Sequence, residues 1–289
     1  MKDWIKAFVP ENDLFFLPEK ELACFKDYLS NVLVIPQEEF FEHSSYKQIQ
    51  LVNSYEYFNL SKEVIKYILV APSEWVNDLP ANKKSDLFHI QKEVGRGLIY
   101  SISDLSIDTS VFSVLKENII EVNGEDFLVI QKAMWEALTH NIKENLIKEI
   151  AQQWETWTCY DYPDNAPLYL KKFANTFPLI AGSNCLSATL FAITQQEWMI
   201  FEWIHPKTFV QGLKNANYNL ITRQDIRAGD VVIWENPEGL IQHASFCIGD
   251  NLFFNKNGQT FFNAWKIIDF TDLSEHWDSN KMKIFRKEV

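Results

Sequence analysis

Hydrophobic residues recur along this chain with two different periods, and each period predicts a different element. Between residues 126 and 154, Ile130, Met134, Leu138, Ile142, Leu146 and Ile150 return every four positions, which predicts one long amphipathic helix. Ser61 with Glu63, and Ser85 leading through Ile90 and Val94 toward Leu98, each offer a capping hydroxyl ahead of a helical stretch. The short runs Val32-Leu33-Val34-Ile35 and Tyr67-Ile68-Leu69-Val70 end at or near proline and read as strands. The first half is therefore expected to be a mostly helical domain with a few strands, of unknown role.

The second half has a different character. Turn formers crowd residues 160–167, and the domain boundary is set just ahead of them, giving domains 1–155 and 156–289. A helix is expected near residues 168–177. Gly182-Ser183-Asn184-Cys185 then precedes an almost unbroken apolar stretch, 186–193, which predicts a buried helix capped by Ser183 or Asn184. Past Gly229-Asp230, strands are expected at 231–234, 241–248, 252–255, 260–268 and 281–285. A helix followed by antiparallel strands is an α+β pattern.

Composition narrows the functional classes. A chain of 289 residues can bury two cores. Its formal charge of −12 opposes a polyphosphate backbone, so no nucleic-acid partner is expected. Every apolar run is interrupted well before the ~20 residues a bilayer crossing needs, so no membrane span is expected. Met1 to Lys6 lead into charges and Pro10 without an apolar signal core, and the expectation is a cytoplasmic protein. The four cysteines, Cys24, Cys159, Cys185 and Cys247, are scattered and read as free thiols in a reducing compartment. No Cys or His residues stand at the close spacings of structural zinc sites, and neither a metal nor another cofactor is expected. The oligomeric state is left open.

Cys185 stands where unpaired backbone N–H groups and the positive end of a helix dipole would stabilise a thiolate and receive an oxyanion. In 241–248, alternation puts His243, Ser245 and Cys247 on one face and Ala244, Phe246 and Ile248 on the other. His243 is thus a candidate proton partner for Cys185. Asn255, on the next strand, is the candidate for orienting its imidazole, with Gln259 a weaker rival. A two-residue loop would put Asn255 on the face opposite His243. A three-residue loop, Gly249-Asp250-Asn251, would make the two diagonal neighbours on one face, and this loop is expected. Asp230 is expected to fix the strand entry through backbone N–H groups.

Three stretches together resemble the NlpC-type papain-like cysteine peptidases. Asn184-Cys185-Leu186-Ser187 stands where that family has Asp-Cys-Ser-Gly. Arg227-Ala228-Gly229-Asp230-Val231-Val232-Ile233-Trp234 is similar to its Pro-Gly-Asp-Leu-Val-Phe-Phe strand, and His243-Ala244-Ser245-Phe246-Cys247-Ile248-Gly249-Asp250 to its His-Val-Gly-Ile-Tyr-Ile-Gly segment. Asn255 falls at the family's third polar position, commonly His, and Asn there is the choice of papain itself. The resemblance covers about the last 130 residues. Asn184, Leu186 and Ser187 depart from the family pattern, which implies an altered pocket, and Tyr169 is the nearest counterpart of the family's upstream Tyr.

The resemblance implies that the Cys185 thiolate attacks an amide carbonyl and that His243 protonates the leaving amine. Asn255 would hold the imidazole tautomer, and the Cys185 backbone N–H would contribute to the oxyanion hole. Ser183, Asn184 and Ser245 are the candidate oxyanion and substrate contacts. The substrate class implied is small or cell-wall-derived peptides. An acyltransferase or thioesterase using the same triad, or a catalytically silent binding protein, are the alternatives. A long groove lined by Phe and Trp would favour acyl chains, and a short polar pocket with Arg223 or Arg227 would favour peptide carboxylates.

Overall fold

The computed structural model describes residues 1–46, 59–105, 112–222 and 225–288, and within them the chain is a mixture of helices and antiparallel sheet. It divides into two units, Met1–Ala151 and Gln152–Val289.

The first unit holds two three-stranded antiparallel sheets, so it is less helical than its sequence pattern predicts. One is ordered β1-β3-β2, from β1 (Asp13–Leu17), β2 (Leu33–Pro36) and β3 (Tyr67–Ala71). The other is ordered β4-β6-β5, from β4 (Ile99–Ser101), β5 (Ile119–Val122) and β6 (Glu125–Val129). Its helices include α1 (Ala81–Glu93), α2 (Lys132–Ala137) and α3 (His140–Trp154), whose last three residues belong to the second unit.

The long helix expected over 126–154 is therefore three elements. Asn123 and Gly124 both take positive φ, 56° and 81°, as a two-residue primed hairpin turn requires. That turn commits Glu125–Val129 to pair with β5 and β4. The Gln131 side chain then accepts from Ala133 N at 2.9 Å and caps α2, and Leu138 turns extended, with ψ 144°, before α3. Ser61 opens only a turn, closed by Val64 N donating to Ser61 O at 3.1 Å. Ser85 lies inside α1, which begins four residues earlier behind Pro80, whose fixed φ and missing N–H suit the entry to a helix.

In the second unit a six-stranded antiparallel sheet is ordered β11-β10-β9-β8-β12-β7. Its strands are β7 (Tyr218–Ile221), β8 (Val231–Glu235), β9 (Ile241–Gly249), β10 (Leu252–Asn255), β11 (Lys266–Asp269) and β12 (Lys281–Lys287). Three helices accompany it: α4 (Cys185–Thr194), α5 (Pro206–Asn215) and α6 (Phe270–His276). Strand alternation divides the apolar residues between two faces. Ile233, Ala244, Phe246, Phe254 and Ile267 form one core with Leu186, Leu190 and Phe191 of α4. Val232, Trp234, Cys247, Phe253 and Ile268 form another with Leu273 of α6. Each large side chain buried in this way contributes about 1.5–3 kcal/mol.

Elsewhere the expected elements shrink or move. Residues 168–177 form only the 3-10 turn Leu168–Leu170. The strand expected over 260–268 begins at Lys266, because Thr260 N and Oγ1 both donate to Asn263 Oδ1, at 3.1 and 2.7 Å, and hold the preceding residues in a loop. His205 stands at the N-cap of α5, with Pro206 in its first turn.

The β9–β10 connection sets the site. It has two turn residues, not three: Asp250 and Asn251, at φ 49° and 62°. Gly249 opposes Leu252, but Phe253 opposes Cys247, so one extra residue of β9 is absorbed in a bulge. Continuing that register sets Asn255 across from Ser245, on the His243 face. The expected diagonal pairing is reached by a bulge instead of a longer loop.

Candidate active site

Cys185 is the first residue of α4. Asn184 caps the helix in a reciprocal box: its Oδ1 accepts from Ser187 N at 3.0 Å, and Ser187 Oγ accepts from Asn184 N at 3.0 Å. Asn184 Nδ2 also donates to Ile204 O at 2.9 Å. The Asn184 side chain is thus engaged in holding the helix entrance and the loop that precedes α5. Ser183 is buried, and its hydroxyl has no hydrogen-bond partner among the described residues. Ser245 Oγ donates to Phe254 O at 3.0 Å and ties β9 to β10.

His243 is enclosed, with 1% of its surface exposed. Its ring stacks on Trp277, centroids 4.6 Å apart and planes 12° apart, and lies 5.7 Å from the ring of Trp234, its cross-strand partner on β8. Nε2 is 2.7 Å from Asn255 Oδ1. The structure thus brings His243 and Asn255 together, beneath an aromatic cover that periodicity did not single out.

Cys185 approaches from the other face of the sheet. The N–H of Ala244, the residue after His243, is directed at its sulfur together with the N–H groups of Cys185 and Leu186. Among the described residues no hydrogen bond joins the thiol to the His243 ring. The sulfur thus reaches the backbone of β9 at Ala244, the residue next to His243.

The residue Cys185 keeps part of its surface open, yet its sulfur lies deep enough that burial dominates. Burial pushes the thiol up to about 11 against the three amides and the Lys256 ammonium, which favour the thiolate. Burial also pushes the His243 imidazole down to about 4, with the Asn255 hydrogen bond opposing. At neutral pH the site holds a thiol and a neutral imidazole.

A polar network missed by the sequence pattern continues outward from Asn255. Asn255 Nδ2 donates to Asn257 Oδ1 at 2.6 Å, and Asn257 Nδ2 donates to Glu155 Oε1 at 2.8 Å. Glu155 also accepts from Asn263 Nδ2 at 2.9 Å and pairs with Lys266 at 2.6 Å, both charged side chains being almost wholly buried. Lys256 is fully buried, donates to Thr260 O and Asn263 O at 3.0 and 2.6 Å, and is pushed down to about 7 by burial. A cleft of about 710 Å³ is lined by Glu155, Asn257, Asn263, Lys266, Leu273 and His276 among others, so the outer end of this network borders solvent. The available signal was the polar density of residues 255–263, Asn-Lys-Asn-Gly-Gln-Thr before Asn263, in an otherwise apolar region.

The remaining candidates have other roles. Gln259 does not orient the imidazole; it accepts from Trp203 Nε1 at 3.0 Å, and its carbonyl accepts from Gly182 N at 2.7 Å. Trp203 is 42% exposed and directly precedes Ile204, which Asn184 holds, so an aromatic rim stands beside the α4 entrance. Tyr169 donates to Ala192 O, near the far end of α4. Asp230 accepts from Arg227 N at 2.8 Å and receives Arg286 on both oxygens at 2.7 Å. Arg227 pairs with Asp225 in an exposed position, and Arg223 lies outside the described residues. Cys24 and Cys159 are exposed, and Cys247 is packed in the core on the His243 face. Groups of three or more His, Cys, Asp or Glu able to hold a metal ion are absent among the described residues, as are helices long and apolar enough to cross a membrane.

No family model matches the chain, and no curated protein does. A solved structure similar to it is a Staphylococcus aureus protein described as similar to lipoprotein, NLP/P60 family. It shares 11% identity over 83% of this chain and 70% of that one, with a TM-score of 0.28. A likeness that distant carries no argument about the site, whose reading rests on its own geometry.

Proposed function

We propose that the second unit is a thiol hydrolase of amide bonds, acting on small peptides, with Cys185 as nucleophile, His243 as its proton partner and Asn255 as the residue that orients the imidazole. The observation that carries this reading is the 2.7 Å contact between His243 Nε2 and Asn255 Oδ1. An amide oxygen only accepts, so Nε2 carries the proton and Nδ1 is left with a lone pair. That lone pair is the base a neutral thiol needs. As sulfur attacks the carbonyl carbon, its proton passes to Nδ1. The backbone N–H groups of Cys185 and Leu186, at the head of α4, receive the developing oxyanion. The imidazolium then protonates the leaving amine, and water, deprotonated by the same nitrogen, releases the acyl group. The order Cys, Gly-Asp, His, Asn that resembles the NlpC-type peptidases supports the same roles and suggests peptides of cell-wall type as substrates.

One observation favours a silent binding protein instead: the thiol and ring share no hydrogen bond and are both uncharged. Alkylation decides between the two. With the imidazole as base, iodoacetamide labels Cys185 faster than the exposed Cys24 at pH 7, and His243→Ala removes the advantage. Labelling slower than Cys24 in the native chain would leave burial alone in control of the thiol, and the hydrolase reading would fall. Retention of peptide hydrolysis by Cys185→Ala would remove the nucleophile assignment.

A further inference from the structure

We infer that Glu155 sets the tautomer of His243 from three hydrogen bonds away, through Asn257 and Asn255, as a positioning residue for the reaction proposed above. A carboxylate only accepts hydrogen bonds, whereas a side-chain amide presents an acceptor on one side and donors on the other. Glu155 lies within 2.8 Å of the Asn257 amide, so Asn257 turns its NH2 toward it and its oxygen toward Asn255. At 2.6 Å from that oxygen, Asn255 must in turn present its own NH2, which leaves its oxygen facing His243 Nε2 at 2.7 Å. Nε2 must then be the donor and Nδ1 the bare nitrogen. Reversing any one amide would set donor against donor or oxygen against oxygen, in a place where Asn255 is fully buried.

Glu155 is itself held in place. Lys266 Nζ pairs with it at 2.6 Å and donates to Thr156 O at 2.9 Å. Asn263 donates to its other oxygen at 2.9 Å and cannot turn over, because its own oxygen accepts from Thr260 N and Oγ1. The carboxylate is the fixed end of the chain and the imidazole the free end. Direct carboxylate–histidine pairs achieve the same orientation in one step.

The test is ring-nitrogen NMR of the full chain labelled with 15N-histidine at pH 7, the His243 signals being those lost in His243→Gln. The native protein is expected to show a proton on Nε2 and a bare Nδ1. Asn257→Ala, whose site lines the cleft, frees the Asn255 amide to rotate, and a second tautomer with the proton on Nδ1 is expected to appear. The double variant Glu155→Leu/Lys266→Met removes the anchor without leaving one charge buried alone, and the same mixture is expected. A native ring protonated on Nδ1 overturns the inference, as does the pure Nε2–H form in Asn257→Ala; if the double variant does not fold, Asn257→Ala alone decides. The tautomer is read without substrate, so its outcome is independent of whether the chain hydrolyses amides. Where it does, Asn257→Ala lowers kcat by at least about 10-fold with KM unchanged, since a mis-set tautomer impairs proton transfer and not binding.

Discussion

Replacing Lys266 by Met tests how much the fold depends on one buried ion pair. Lys266 and Glu155 approach to 2.6 Å with side chains only 5% and 3% exposed, and Glu155 additionally receives two asparagine NH2 groups. The variant leaves the carboxylate enclosed without its nearest cation, and breaking a buried pair from one side costs about 3–5 kcal/mol. Against a domain stability of about 5–15 kcal/mol, that is a fifth or more of the total. Urea unfolding at pH 7.5, followed by the fluorescence of the second unit's tryptophans, should show the loss as a lower midpoint with an unchanged slope. The double variant Glu155→Leu/Lys266→Met should recover most of it, because the stranded charge goes with its partner. Lys172→Ala is the control: its pair with Glu197 is exposed on both sides, 63% and 53%, and should cost under about 1 kcal/mol. If Lys266→Met is as mild as Lys172→Ala, the carboxylate is not enclosed as the structure has it, and the polar chain to His243 loses its anchor.

Three further outcomes follow from the same site. The His243 pKa of about 4 lies below the 6.5 of an unfolded chain, so the buried ring must stay neutral. Its contribution is fully present above pH 6.5 and is lost as pH falls toward 4, by up to about 3 kcal/mol, and His243→Gln should flatten that part of a stability–pH curve. Trp277→Ala should open the ring to water and raise its pKa toward 6.5, so the acid limb of kcat/KM, expected near pH 4, moves upward. Asn184→Ala removes the cap of α4 and should cost about 1 kcal/mol in urea unfolding.

Much of the second unit could be read from the chain because its signals are local. The apolar run 186–193 behind Asn184 became α4, and strict alternation placed β8, β9 and β10 within a residue or so of where they stand. In the first half the four-residue recurrence from Ile130 to Ile150 misled. A period of four is also compatible with a strand, a short helix and a second helix in succession, and the Asn123-Gly124 hairpin turn was the stronger local signal. Glu155, Asn257 and Trp277 were illegible for a different reason. Glu155 lies 88 residues from His243 in sequence and meets it only through hydrogen bonds that pairing of β9 with β10 creates, so no spacing rule links them.

The bulge between β9 and β10 shows how narrowly the site is specified. Were the register at Gly249 and Leu252 to continue unbroken, Asn255 would stand opposite Phe246, on the face covered by α4. A polar amide would then sit in an apolar core, and His243 would lose the partner that sets its proton. The single extra residue moves Asn255 to the His243 side while Phe253 and Phe254 still fall on apolar faces, one in each core. Both cores and the polar chain thus select the same register, and a slip by one residue would violate all three at once. The turn supports this, since Asp250 and Asn251 both occupy left-handed conformations that short polar side chains tolerate. The imidazole is therefore held by the folding of the sheet itself, and α4 needs only to dock on the opposite face for the Cys185 sulfur to reach the backbone beside it.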